Sequence, residues 1–90
     1  MAPKRQLLEK MEANPQNDWS LDDIKKLARQ EGMELVAPTR GSHHTLRSAY
    51  LREVVTVPYK RPIKVIYIKN VVSYARAHRE AHARQKQEDT

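Results

Sequence analysis

The sequence predicts a small α+β domain: a three-stranded antiparallel sheet covered on one face by helices, in the order ααβββα. Three observations predict it. Apolar residues recur at helical spacing through the first third of the chain, give way after Gly32 to short alternating pieces bounded by Pro38, Gly41 and Pro58, and return to helical spacing from Val65. Helices and strands ordered this way in a short chain pack as a sheet with the helices segregated to one side. The other side stays open, and a site is expected there.

The first helix is read over residues 4–13. Leu7, Leu8 and Met11 fall on one side of it, and Asn14-Pro15 ends it because proline disfavours helix in the preceding residue. Ser20 is placed as the N-cap of a second helix, with Asp22 and Asp23 set to meet its free amide donors and the positive end of its dipole. Leu21, Ile24, Leu27 and Ala28 form its buried stripe, and Gly32 supplies the left-handed residue that closes it. Trp19 reads as a staple-like contact just before the cap. Strands are expected over 33–37, 43–48 and 54–57, the last rich in β-branched residues. The stretch at Val65 admits either strand or helix. The spacing of Val65, Ile68, Val72 and Ala75, running into the alanine-rich 74–83, selects helix. One domain over 1–90 results, with a helical elaboration at 1–18, a core at 19–83 and a polar tail at 84–90 expected to fray.

Composition narrows the function classes. Ninety residues with 39% hydrophobic content support one thin core and exclude barrel or doubly wound nucleotide architectures. The absence of cysteine excludes disulfides, thiolate metal sites and cysteine nucleophiles. Residues 1–10 lack the apolar core of a secretory signal, and the apolar run Val65–Ile68 is too short for a bilayer, so a cytoplasmic chain with no membrane partner is expected. The formal net charge of +6 resides entirely in residues 41–90. Such a field favours a polyanionic partner, either nucleic acid or an acidic protein.

The constellation least like scaffolding is Arg40-Gly41-Ser42-His43-His44-Thr45-Leu46-Arg47, a glycine hinge leading into a strand with two histidines. Strand alternation separates them: His44 shares the core side with Leu46, whereas His43, Thr45 and Arg47 project onto the open face. His43 is therefore the candidate catalytic residue. Imidazole exchanges a proton near neutral pH, so beside a phosphodiester it can deprotonate a ribose 2′-hydroxyl and set that oxygen against phosphorus. Such chemistry cuts RNA and spares DNA. Arg40, Arg47, Lys60 and Arg61 are candidates to neutralise phosphate, with Gly41, Ser42 and Thr45 shaping the RNA-binding surface. For the leaving oxygen, Tyr59 and Lys60 are the candidate proton donors. Neither a metal nor a cofactor is expected, because adjacent strand histidines face opposite ways and His78 and His82, four apart on the last helix, lack a third ligand. Those two read as a solvated helix face. The residues alone leave two other readings open: an RNA-binding module that does not cut, and a basic docking face for an acidic partner.

Taken together, the motifs resemble the HicA-type mRNA interferase toxins of type II toxin–antitoxin systems. The resemblance rests on Leu21-Asp22-Asp23-Ile24-Lys25-Lys26-Leu27, Glu31-Gly32-Met33-Glu34-Leu35, the hallmark Gly41-Ser42-His43-His44, Val55-Thr56-Val57-Pro58 and Pro62-Ile63-Lys64-Val65-Ile66-Tyr67-Ile68. It implies a fold like the double-stranded-RNA-binding domain and metal-independent, ribosome-independent cleavage of single-stranded mRNA. It also implies catalysis by the histidine after Gly-Ser, here His43, and silencing by a HicB-type antitoxin. One departure stands out: many relatives carry a histidine shortly after the Val-Pro, where this chain has Tyr59-Lys60-Arg61.

Overall fold

The computed structural model describes residues 6–59 and 61–88. Helix α1 (Leu7–Ala13) buries Leu8 and Met11 completely against the rest of the chain. The segment set apart in the sequence as an elaboration thus contributes two side chains to the common core. Exposed charges reinforce its seat on the last helix, where Arg79 Nη1 donates to Glu9 Oε2 at 3.0 Å and Arg76 pairs with Glu12.

Helix α2 (Leu21–Glu31) starts where the sequence places its cap. The Asp23 carboxylate accepts from the Ser20 backbone N–H at 2.9 Å and from the Ser20 hydroxyl at 3.0 Å, which ties the capping residue to the first turn. Ile24, Leu27 and Ala28 are buried and Leu21 is half-buried, as the stripe requires. Gly32 closes the helix at φ 75°, a left-handed conformation that a side chain would strain. Trp19 packs on the core from in front of the cap; its indole Nε1–H donates to the Asn14 carbonyl at 2.7 Å and its own carbonyl accepts from Ile63 N–H at 3.0 Å.

Three strands follow, β1 (Glu34–Val36), β2 (His43–Arg47) and β3 (Val54–Pro58), paired antiparallel in the order β1-β2-β3. The register sets Leu35 opposite Leu46 and Leu46 opposite Val55, with His44 opposite Val57. These residues form the covered face, on which Leu46 and Val57 are fully buried. On the reverse face lie Val36, Thr45 and Thr56 in one row, Glu34, Arg47 and Val54 in a second, and His43 beside Pro58 in a third. The chain is therefore α+β, a three-stranded antiparallel sheet with helices, in the order ααβββα.

Helix α3 (Val65–Glu88) corrects the sequence reading in three ways. Its buried stripe is Ile68, Val71, Val72, Tyr74, Ala75 and His78, while Val65 stays 37% exposed in the first turn. It also continues through Glu88 instead of fraying after 83. Ala81, Ala83, Arg84 and Gln85 are good helix formers, and the exposed Glu80–Arg84 pair spans one turn, so the polar tail extends the helix without needing a core. Asp89 and Thr90 lie outside the described residues. Finally, His78 is not solvated: it is 2% exposed, and its neighbour one turn on, His82, stacks on Tyr50 at 5.1 Å. His78 stands three residues after Ala75 and seven after Val71, squarely on the buried stripe. Among the described residues no helix is long and apolar enough to cross a membrane.

Candidate functional site

The start of β2 and the end of β3 make one end of the sheet, and the candidate residues divide between its two sides. Tyr59 N–H donates to the Ser42 carbonyl at 2.8 Å, extending the β2–β3 ladder one pair beyond His43 and Pro58. This pairing holds the Gly41–Ser42 turn against the end of β3. Gly41 adopts φ 79°, so the hinge requires glycine for its backbone conformation.

On the open side, His43 is exposed. Among the described residues no side-chain hydrogen bond, ion pair or ring contact engages it. Thr45 lies in the next row of the same face, half-buried between Val36 and Thr56, and Arg47 lies in the row beyond. Four residues of extended strand separate His43 from Arg47, about 13 Å at a rise of about 3.3 Å per residue. Arg47 makes only a loose pair with Glu34, Nε to Oε1 3.9 Å, with both side chains mostly in solvent. Arg40 and Ser42 are exposed in the turn that precedes β2. Thus His43, Thr45 and Arg47 share the open face, with Arg40, Gly41 and Ser42 exposed in the turn that leads into it.

Arg61 and Tyr59 do not join that face. Alternation from buried Val57 carries the Tyr59 side chain to the covered side, where its ring meets His44 edge-on with centroids 6.1 Å apart. Tyr59 is therefore across the strand from His43, which corrects its candidacy as proton donor beside that residue. Arg61 is clamped to Asp18, Nε to Oδ1 3.3 Å and Nη2 to Oδ2 3.1 Å. The hydrogen bonds it donates to Asp18, with the charges of Asp18, Asp23 and Asp22, raise the guanidinium pKa above its usual value. Lys60 lies outside the described residues.

His44, Tyr59 and Arg61 line a cleft of about 380 Å³ with Ser20, Leu21 and Asp22 from the first turn of α2. His44 is half-buried there, and its Nδ1 is shut off from solvent with no hydrogen-bond partner. A bare ring nitrogen tolerates that isolation better than an N–H would, so the tautomer with its hydrogen on Nε2 is favoured. Sequence reasoning set His44 aside as a core-side residue and missed this cleft. The available signal was the alternation itself, since Tyr59 shares the face of Val57 and His44. Among the described residues no group of three or more His, Cys, Asp or Glu is arranged to hold a metal ion.

Comparison with protein-family models, with curated proteins and with solved structures returns no match to this chain.

Proposed function

We propose that the chain is an RNA endonuclease of the HicA toxin type, with a fold like the double-stranded-RNA-binding domain and a HicB-type antitoxin as its protein partner. The observation that carries the reading is the placement of His43: an exposed imidazole without a partner among the described residues, at a glycine hinge on the open sheet face. An imidazole so placed is accessible to a polynucleotide and free to accept the 2′-hydroxyl proton, after which the 2′-oxygen attacks phosphorus and the 5′-oxygen departs. Arg47 farther along the strand supplies positive charge to the RNA backbone on the same face, and Arg40 adds to it from the adjoining turn. Single-stranded mRNA suits an open face of this size, and an acidic antitoxin surface would compete for the same cations.

The decisive experiment incubates purified chain with a labelled transcript, beside His43→Ala, and compares the growth of cells expressing each. Cleavage and growth arrest are expected from the wild type and neither from the folded variant. A folded His43→Ala protein that still cuts RNA would overturn the assignment. One observation favours binding without cleavage: Tyr59 is turned away from His43, which leaves no proton donor beside it among the described residues. Retention of intact transcript by the wild type would establish that second reading instead.

A further inference from the structure

The cleft behind β2 has features that stability of the fold does not account for. Tyr59 is 71% exposed, the most exposed large hydrophobic side chain among the described residues. Its tilted contact with His44 leaves most of the ring bare. The His44 ring carries a nitrogen without a partner at the same place, and such groups in a folded chain call for an explanation. The cleft volume of about 380 Å³ falls within the range of roughly 300–1,000 Å³ common for small-molecule sites.

Charge decides what kind of ligand fits. Asp22 lines the cleft, Asp23 and Asp18 stand close enough to act on Arg61, and Arg61 is already bound by Asp18. Among the described residues the cleft offers a phosphate one cation, Arg61, already neutralised by Asp18 and set among carboxylates. A neutral ring bearing N–H donors would instead find an acceptor in Asp22, which makes no hydrogen bond or ion pair among the described residues, whereas Asp23 is occupied by Ser20. Flat neutral rings stack on exposed aromatic side chains, and unpaired RNA bases are recognised by that stacking combined with hydrogen bonds to their Watson–Crick edge.

We propose that this cleft is a guanine-binding subsite, formed by Tyr59, Asp22, His44 and Arg61, for an RNA nucleotide adjacent to the phosphate at His43. The proposal rests on the RNA reading above and names the base that the site selects. Guanine is the base whose Watson–Crick edge offers two neighbouring N–H donors to one carboxylate together with a neutral oxygen that can accept from an Arg61 N–H not used by Asp18. Uracil and cytosine offer fewer donors to Asp22, and adenine presents a bare ring nitrogen where guanine has an N–H. The route between the two sites is short. Tyr59 N–H bonds the carbonyl of Ser42, the residue before His43, so a strand passing over the Gly41–Ser42 turn has a phosphate on the open side and a base on the covered side.

Trp19, the one tryptophan of the chain and the residue preceding Ser20, serves as the reporter. The full chain is titrated with the four nucleoside 5′-monophosphates, whose common phosphate leaves the base as the variable, while tryptophan fluorescence is followed. Guanosine monophosphate should bind at least about tenfold more tightly than the other three, and Tyr59→Ala or Asp22→Asn should each weaken it about tenfold or more, in line with the known weight of one stacked base or one bidentate contact. Both side chains are exposed, and circular dichroism checks that each variant keeps its fold. Equal affinity for all four nucleotides, no saturable change, or folded variants that bind as the wild type does would each overturn the subsite. Mapping of cut sites separates this from the nuclease reading. A chain that binds guanosine monophosphate selectively but cuts nothing retains the subsite and loses the nuclease, whereas cutting with no guanine preference beside the break removes the subsite alone.

Discussion

The two ends of the sheet treat their polar groups in opposite ways. Where β2 gives way to the turn toward β3, the buried polar groups are engaged from α3. The Tyr74 hydroxyl accepts from Ser48 N–H at 2.9 Å and donates to the Glu53 carbonyl. His78 bridges the Ser48 hydroxyl, at 2.6 Å, and the Glu31 carbonyl, at 2.7 Å. That carbonyl can only accept, so Nε2 carries a hydrogen and donates it there. Arg79 completes this end with two N–H bonds of 2.8 Å to the fully buried Glu31 carboxylate. At the opposite end, His43 has no partner among the described residues, His44 Nδ1 has none, and Tyr59 is largely bare. A chain that saturates one end this thoroughly shows what its polar residues do for the fold. The contrast is what supports proposing the other end as the binding side.

The largest effect is expected from Arg79→Met, which strips the counter-charge from a buried carboxylate and should cost about 3–5 kcal/mol in urea unfolding. A loss below about 1 kcal/mol would mean that the saturated end does not depend on this pair. His78→Leu leaves the Glu31 carbonyl and the Ser48 hydroxyl short of a partner, so a loss of about 1–3 kcal/mol is expected; an unchanged midpoint would erase the distinction between the ends.

Alkaline titration gives a smaller and more specific signal. Burial pushes the Tyr74 phenol above its usual value of 10.0, with the hydrogen bond from Ser48 opposing. Below that value both folded and unfolded chains hold the proton and no stability is lost. Above it the unfolded chain releases its proton first, so stability falls as pH rises toward the folded-state value. Tyr74→Phe should flatten that fall in urea titrations repeated between neutral pH and pH 11, and an unaltered slope would show that the decline comes from other groups. The smallest stability effect belongs to the open end: His43→Ala should shift the midpoint by no more than about 0.5 kcal/mol while removing RNA cleavage. A large destabilisation there would mark His43 as structural and weaken the comparison at its root.

Much of the local organisation was legible in the residues. Ser20 and Gly32 mark the ends of α2, the strand positions fall within a residue of the expected ones, and alternation along β2 places His43 and Arg47 on one face and His44 and Leu46 on the other. Periodicity expresses these features because each depends on neighbours a few positions away. The helix at Val65 was legible for the same reason: Ile68, Val72 and Ala75 are buried as its spacing requires, joined by Val71, Tyr74 and His78, while Val65 stays exposed.

What tertiary structure decided is which distant groups meet on those faces. His78 looked like a surface histidine until Ser48, 30 residues earlier, and the end of α2 were folded around it. Arg61 was read with the phosphate-binding cations until the fold gave it Asp18, 43 residues away. Tyr59 was weighed as a partner of His43 until the strand turned it toward His44 and Asp22. The chain by itself determines its elements and their faces because those follow from backbone geometry and spacing. Partnership between charged and hydrogen-bonding groups depends on how the elements pack, and that is a property of the assembled domain.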